Sequence, residues 1–217
     1  MKNWLHYENN WCLIVNKPFG VLSQKDQKGE EGVFEMVKTY LGEDHFVDMI
    51  QRLDRTTGGL MLFAKTPEAA KHFHHLQSNG QLQKTYLAVT ENQPETEKGT
   101  LTNYLKKLHN PTRMRAFDEK VAGCKKAVLD FEVLAAKDEK ALLKINPKTG
   151  RMHQIRVQLA KIGCPIVGDK KYGKTQFLAD QSIALFSKGI EFQHPKKKET
   201  MRFEAEIPEH EIFNLFK

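Results

Sequence analysis

Residues 52–64 read RLDRTTGGLMLFA, and this stretch is the most informative part of the chain. Its first half places one carboxylate, Asp54, between the guanidinium groups of Arg52 and Arg55. Its second half, residues 60–64, is an apolar run of the length typical of a buried strand. A charged turn that leads into a buried strand indicates a functional site carried by a sheet. Taken alone, the RLDR tetrapeptide is more typical of a loop carboxylate in a surface salt bridge, because exposed Asp–Arg pairs are common.

The rest of the chain mixes strands and helices without the regular alternation of a doubly wound fold. Helical spacing and end signals predict helices over residues 33–41, 67–78 and 152–162, with a small one around residues 209–216. Strands are predicted at residues 11–15, 60–64, 84–90, 127–135, 141–145, 183–186 and 201–205, and residues 91–126 are predicted to be a polar connection. The pattern favours an α+β fold with a mixed, largely antiparallel central sheet and flanking helices.

Composition and charge indicate an ordered protein with a polyanionic partner. The 217 residues, 40% of them hydrophobic, are enough to bury a core, and we expect one folding unit over residues 1–217. The formal net charge of +7 is the usual sign of a protein that neutralises phosphates. Charge alone is weak support for nucleic-acid binding, so the motifs must decide.

The cysteines and the termini predict a cytoplasmic location. Cys12, Cys124 and Cys164 are odd in number and widely separated, which argues against a disulfide framework or a structural zinc site. The N-terminus lacks the apolar run of a signal peptide, and no segment approaches the ~20 apolar residues of a membrane span. We therefore expect reduced thiols and no membrane association.

A second motif lies roughly a hundred residues after the first. Residues 149–156 read TGRMHQIR and bring Arg151, His153, Gln154 and Arg156 to the start of a predicted helix. A helix N-terminus is a ready anion site, so this segment suits a phosphate. The alternative is a basic helix start whose charged side chains are merely solvated.

Together the motifs resemble those of the RluA branch of the pseudouridine synthases. Residues 16–20 (NKPFG) are similar to the first motif of that family, residues 52–60 to its catalytic loop, residues 84–86 (KTY) to its tyrosine motif and residues 149–156 to its third motif. Residues 165–169 (PIVGD), 172–173 and 192–195 (FQHP) also match. The resemblance implies a two-lobed single catalytic domain over residues 1–217, with no appended N-terminal RNA-binding domain.

The resemblance also implies the site residues. Asp54 is expected to be the essential aspartate, Arg156 to pair with it across a central cleft, and Tyr86 to contact the target uracil. Arg55, which follows the aspartate, is a candidate wedge or phosphate grip for a flipped nucleotide. Further substrate contacts are expected from Arg52, Arg55, Thr57, Lys84, Arg151, His153 and Gln154. No metal, nucleotide or other cofactor is expected.

The implied reaction converts uridine to pseudouridine in structured RNA. It breaks the glycosidic carbon–nitrogen bond, turns the uracil over and rejoins it through carbon, with no hydrolysis and no redox change. Asp54 either attacks the anomeric carbon or removes a sugar proton to form a glycal, and the sequence leaves both routes open. The expected substrate is a stem-loop of ribosomal or transfer RNA, with contacts from residues 93–115, including an Asn110-Pro111 turn. We expect a monomer.

Two positions depart from the family pattern. Gln51 stands where the family usually has His, and Gly58 stands where it commonly has a small hydroxyl residue. Gln51 does not titrate, and Gly58 beside Gly59 is expected to loosen the loop and lower the rate. These departures motivate the alternative that the chain is a catalytically impaired RNA-binding or folding factor. An unrelated aspartate hydrolase ranks last, because no second acid or metal motif accompanies Asp54.

Overall fold

The computed structural model describes residues 2–109, 112–173, 178–197 and 199–216. The chain divides into two compact units. The first contains the residues up to Lys84 together with Phe186–Glu206, and the second contains Thr85–Leu185 together with the segment from Ile207 onward. That these units form the single domain expected from the sequence stays a prediction.

The elements follow one another along the chain as a mixture of strands and short helices. A 3-10 turn at Lys2–Trp4 precedes β1 Leu5–Glu8, β2 Cys12–Lys17, α1 Val33–Leu41, β3 Asp48–Met49, β4 Gly58–Ala64, α2 Pro67–Ser78 and β5 Gln83–Thr90. Then come β6 Lys98–His109, β7 Thr112–Phe117, β8 Lys125–Lys137, β9 Lys140–Pro147, α3 Gln154–Lys161, β10 Leu185–Gln193, β11 Thr200–Glu204 and α4 Glu211–Asn214.

In the first unit, β4 is the central strand. It pairs antiparallel with β2 and β3 and parallel with β10, while β1 extends the sheet beyond β2 and β11 beyond β10. All seven residues of β4 are buried, as expected for an apolar strand covered on both faces. This strand follows directly after the Asp54 turn, so the turn is attached to a fully buried strand with partners on both sides.

The second unit contains an antiparallel sheet in the order β5-β9-β8-β6-β7. Helix α3 packs on β6 and β7. The contact is made by a buried cluster that consists of Leu105, Met114, Ala127 and Val157. The helix start that carries the second motif is therefore held against the strands by apolar packing.

Local sequence explains the clearest helix. Thr66 precedes α2, and its hydroxyl accepts a hydrogen bond from Ala69 N at 3.1 Å, while Pro67 takes the first helical position. The buried face carries Ala69, Ala70, Phe73 and Leu76 at helical spacing.

The expected α+β fold with largely antiparallel strands is confirmed, and several predicted elements match within a few residues. The predicted helix at residues 67–78 and the predicted hairpin at residues 127–145 are both present, the hairpin as β8 and β9. The connection predicted at residues 91–126 was wrong, because it contains β6 and β7. In β6 only Asn103 and Leu105 are buried, so the strand has almost no apolar alternation to reveal it. The predicted turn at Asn110 and Pro111 lies outside the described residues.

Candidate active site

The backbone on both sides of Asp54 is held by residues 17–23. The hydroxyl of Ser23 donates to Leu53 O at 2.6 Å and accepts from Leu53 N at 3.0 Å. Gly20 N donates to Arg55 O at 2.9 Å, and Thr57 N closes the turn on Asp54 O at 3.0 Å. The half-buried Asp54 therefore projects from a turn whose neighbouring peptide groups already have partners.

Lys17 lies beneath this turn and is fully buried. Its ammonium group donates to Val21 O at 2.7 Å, Pro18 O at 3.0 Å and Arg55 O at 3.4 Å. Burial lowers the pKa of Lys17 to about 7, the negative charge of Asp54 opposes that shift, and Arg55 adds to it. Lys17 therefore ties the first motif to the Asp54 turn by both hydrogen bonds and charge.

The guanidinium of Arg55 points to Glu30. Its two terminal nitrogens each lie 2.9 Å from a Glu30 carboxylate oxygen, and its Nε donates to Gly20 O at 2.9 Å. That Arg52 and Arg55 flank the carboxylate of Asp54, as the sequence pattern predicted, stays a prediction. Arg52, on the other side of Asp54, is exposed to solvent.

The two positions that depart from the family pattern are both buried. The Gln51 side chain donates to Leu60 O at 3.0 Å, which ties the start of the turn to β4. Gly58 and Gly59 belong to β4 itself, paired with Phe186 and Ser187, so the expected loosening of a loop at these glycines is wrong. Gly59 has a φ of +110°, and an added Cβ would lie 2.3 Å from Ser187 O, so a larger residue does not fit.

Three polar side-chain atoms in this segment are buried without a hydrogen-bond partner among the described residues. They are Gln51 Oε1, Thr56 Oγ1 and Thr57 Oγ1. Thr57 was expected to bind substrate, and it is only 2% exposed. Such atoms are uncommon in folded proteins and concentrate here beside the candidate carboxylate.

In the second unit, Gln154 closes the turn that precedes α3. Its side-chain oxygen accepts from Thr149 Oγ1 at 2.8 Å and Arg151 N at 3.0 Å, while its amide nitrogen donates to Val128 O at 3.0 Å. Arg151 reaches back to Lys126 O through its Nε at 3.0 Å. Both side chains thus shape the second motif and fasten it to the sheet.

Arg156 forms a buried ion pair with Asp169. Arg156 Nε lies 2.7 Å from Asp169 Oδ2, and a terminal nitrogen lies 2.8 Å from Asp169 Oδ1. The Arg156 guanidinium also lies over the Tyr172 ring, at 5.3 Å from its centroid. A planar guanidinium held on one side by a carboxylate and on its face by an aromatic ring has a well-defined orientation.

The Tyr172 hydroxyl joins this arrangement to the second motif. It accepts from Met114 N at 2.9 Å and lies 2.7 Å from His153 Nδ1. His153 has a φ of +51°, the left-handed region that non-glycine residues adopt infrequently. Unusual backbone of this kind persists where surrounding contacts hold it and is common at functional sites.

The remaining expected residues lie on β5. Tyr86 is 8% exposed and pairs with Ile145 on β9. Lys84, the last residue of the first unit, is 7% exposed, and burial lowers the pKa of its ammonium group.

Sequence reasoning alone did not predict roles for four residues of this region: Lys17, Ser23, Asp169 and Tyr172. Three of them lie in segments that it matched to family motifs, residues 16–20, 165–169 and 172–173. A lysine at the end of an apolar run, and an aspartate after one, are signals for buried charge that could have revealed Lys17 and Asp169.

Among the described residues, no group of three or more His, Cys, Asp or Glu side chains is arranged to hold a metal ion. The histidines of α2 contact other partners: His72 lies 2.9 Å from Gln193 O, His74 lies 2.6 Å from Asp48 Oδ2, and His75 lies 2.9 Å from Asn79 Nδ2. In the part of the chain that the structure describes, no helix is long and apolar enough to cross a membrane.

The fold and the site define an α+β protein with an aspartate in a hydrogen-bonded turn and a buried arginine. Comparison with known proteins identifies the family. The family model described as RNA pseudouridylate synthase matches residues 11–161. This chain belongs to that family and is an RNA-modifying isomerase, as the resemblance of its motifs predicted.

Proteins named as RNA pseudouridine synthases match almost all of the chain. An uncharacterized RNA pseudouridine synthase of Bacillus subtilis, YhcT, is 34% identical over 209 residues, which are 93% of this chain and 68% of that protein. The ribosomal large subunit pseudouridine synthase C of Haemophilus influenzae is 31% identical over 213 residues, 95% of this chain and 66% of that protein. The chain thus spans about two thirds of the length of these relatives.

A solved structure shares the fold. Human RNA pseudouridylate synthase domain containing 4 superimposes with a TM-score of 0.78 at 20% sequence identity, covering 96% of this chain and 90% of that one.

Proposed function

We propose that this chain isomerises uridines in ribosomal RNA, with Asp54 as the essential carboxylate. The observation that carries the proposal is the clamped turn, in which Ser23, Gly20 and Lys17 bind the peptide groups on either side of Asp54. Ribosomal RNA is supported by relatives named ribosomal large subunit pseudouridine synthase C. Transfer RNA, the other substrate expected from the sequence, is an outcome of the mapping experiment below.

Preorganisation of the turn suits either chemical route. In the first, the Asp54 carboxylate bonds to C1′ as the glycosidic bond to uracil N1 breaks; in the second, it accepts a sugar proton as the glycal forms. In both, the detached uracil turns over and C5 bonds to C1′, as the bond from Asp54 to C1′ breaks in the first route or the sugar proton returns from Asp54 in the second. The C5 proton then leaves and N1 of uracil takes up a proton, so the product is an isomer of the substrate. A carboxylate carried by a backbone that is already held loses less freedom on reaching either transition state than one on a mobile loop.

We propose that Arg156 and Tyr86 complete the site on this uridine. The contacts of Arg156 with Asp169 and Tyr172 support the idea, because they hold its guanidinium rigidly. Arg156 would place its positive charge beside the Asp54 carboxylate, and Tyr86 would offer its ring to the detached base. Substrate contacts by Arg52, Arg55, Thr57, Lys84, Arg151, His153 and Gln154 stay predictions, and Arg55 would first have to leave Glu30.

We further propose that the protein acts as a monomer on an RNA stem-loop in the cytoplasm. The reduced cysteines and the absence of a coiled-coil repeat in the sequence support this proposal.

The decisive experiment maps pseudouridine across the transcriptome of the source organism after deletion of the gene. The deletion strain is complemented with wild type, with Asp54→Asn, or with Asp44→Asn as a control that changes an exposed aspartate of the same unit. We expect a site that is lost on deletion and restored by wild type and by Asp44→Asn, but not by Asp54→Asn. Restoration by Asp54→Asn would refute the role of Asp54.

A biochemical assay separates catalysis from binding. Purified protein acts on RNA tritiated at C5 of uridine, and tritium release measures bond formation at that carbon. We expect Asp54→Asn to bind RNA as wild type does while releasing no tritium. Binding without release by the wild type, on RNA containing the mapped site, would favour the impaired binding factor that Gln51 and Gly58 suggested.

A further inference from the structure

The second unit contains a cavity of about 350 Å³ that the proposed reaction does not use. Strand β7, the C-terminal part of α3 and residues 171–173 form its walls. Its rim carries four basic side chains, Arg113, Arg115, Lys161 and Lys171, and all four residues are exposed. The cavity is therefore an open recess with a positive edge.

The strand geometry of β7 explains the rim. Side chains two residues apart lie on the same face of a strand, so Arg113 and Arg115 leave β7 together, on the face opposite to Met114. β7 is the last strand of its sheet, so these two long side chains border the cavity at the open edge of the strand. Met114, between them, packs into the buried cluster. Arg115 lies over the Phe117 ring at 5.1 Å, and Lys161 pairs with Asp118 at 2.8 Å. These contacts hold two of the four basic groups in place at the rim.

The floor of the cavity differs from a plain basic surface. It includes Ala116, Val157, Ala160 and Tyr172, so it is apolar and lined mostly by small side chains. A simple anion site needs donors at its centre, whereas this cavity places charge at the edge and apolar surface at the centre. A nucleotide has the complementary distribution, with a charged phosphate attached to a flat, largely apolar base and sugar.

We propose that this cavity binds one nucleotide of the substrate RNA other than the target uridine. Arg113, Arg115 and Lys171 hold its phosphate, and the base and sugar lie on the floor beside Ala160 and Tyr172. The proposal rests on the proposed RNA substrate and adds to it a defined docking position on the second unit.

The Tyr172 ring gives this site a physical link to Arg156. It forms part of the cavity wall, and the Arg156 guanidinium lies over it. The Tyr172 hydroxyl is fixed by Met114 N and His153. A nucleotide on the floor therefore restrains the ring that orients Arg156, so occupation of the cavity and the position of Arg156 are coupled.

The test measures the affinity for RNA as a function of salt. Fluorescence anisotropy is recorded with a short, labelled, single-stranded RNA of mixed sequence for wild type and for the double variant Arg113→Gln, Lys171→Gln. The matched control is Lys137→Gln, Lys140→Gln, which removes the same charge at the turn between β8 and β9. We expect the rim variant to bind about tenfold more weakly or worse, with a slope of log K against log salt reduced by about 1 to 2.

A floor variant tests whether the cavity itself matters. Ala160→Met fills the cavity, keeps the charge and suits a helix. We expect it to weaken binding severalfold without changing the salt slope. If the rim variant behaves like its control, or if Ala160→Met binds as wild type does, the nucleotide site is refuted.

Competition identifies the occupant. Uridine monophosphate is added to the wild-type complex, and we expect it to displace RNA only at high concentration. Displacement at micromolar concentration from wild type, but not from the rim variant, would overturn RNA as the occupant in favour of a free nucleotide. These measurements detect binding and not turnover, so they stand apart from the tritium assay, whose failure would count against the proposed isomerisation instead.

Discussion

The buried ion pair between Arg156 and Asp169 makes the sharpest prediction about stability. The two side chains are 8% and 1% exposed, and they share two hydrogen bonds of 2.7 and 2.8 Å. The same carboxylate also accepts from Lys171 N at 3.1 Å and Tyr172 N at 3.3 Å. Asp169→Asn keeps the shape of the side chain but removes the negative charge of Asp169 from the buried Arg156 guanidinium.

Breaking one partner of such a pair costs about 3–5 kcal/mol, because the remaining charge stays out of water without compensation. A domain is stabilised by about 5–15 kcal/mol in total, so Asp169→Asn removes a large share of it. The control is Asp130→Asn, since Asp130 pairs with Lys148 at 3.0 Å while these side chains are 41% and 57% exposed. An exposed pair contributes at most about 1 kcal/mol.

The measurement is urea unfolding at neutral pH, followed by circular dichroism, for wild type and both variants. A third variant, Arg156→Met with Asp169→Leu, removes both charges, and we expect it to lose less stability than Asp169→Asn alone. If Asp169→Asn unfolds with the same midpoint as Asp130→Asn, the buried pair does not stabilise the second unit.

Three further predictions concern the Asp54 turn. Burial lowers the pKa of Lys17 from 10.5 to about 7. Between these pH values the unfolded chain binds more protons than the folded one, so the free energy of unfolding rises with pH. Lys17→Met should abolish that rise between pH 7 and about pH 9; parallel curves of unfolding free energy against pH for wild type and variant would contradict this prediction. Gly59→Ala should lower the free energy of unfolding by more than about 2 kcal/mol, because both the positive φ and the nearby carbonyl oxygen of Ser187 oppose a Cβ atom. The control Gly80→Ala, where φ is +70° and the space is open, should lower it by about 1 kcal/mol. Equal losses in urea unfolding would show that the close approach to Ser187 is harmless. Ser23→Ala should lower the free energy of unfolding by about 1–3 kcal/mol and slow tritium release, because it removes both hydrogen bonds to Leu53. Ser78→Ala, at an exposed helix end, should change neither quantity. An unchanged rate of tritium release in Ser23→Ala would show that the turn keeps its shape without the hydroxyl.

Local signals in the sequence were sufficient wherever a segment interacts mainly with itself. Helix α2 was predicted within its observed bounds, because Thr66, Pro67 and the apolar spacing are all local features. The Asp54 turn was recognised for the same reason, since its charges and glycines are consecutive residues.

Strands β6 and β7 were missed because their stability comes from partners distant in sequence. Residues of β6 pair with β8 and with β7, and few of their side chains enter the core. A strand with weak alternation carries little signal of its own, since strand preference depends largely on its neighbours. The cavity in which we propose that a nucleotide binds is lined by β7, so it could not be predicted from the sequence either.

The amino-acid sequence by itself determined the family, the α+β class and the candidate carboxylate, because these depend on the identity and order of residues in short motifs. Tertiary structure alone decided the partners of the charged groups: Arg55 binds Glu30, Arg156 binds Asp169, and Lys17 lies buried beneath the turn. The physical reason is that the energy of a charge depends on its burial and on counter-charges that the fold brings from distant positions. A motif names the residues of a site, whereas the fold determines which of them are paired, buried or open to RNA.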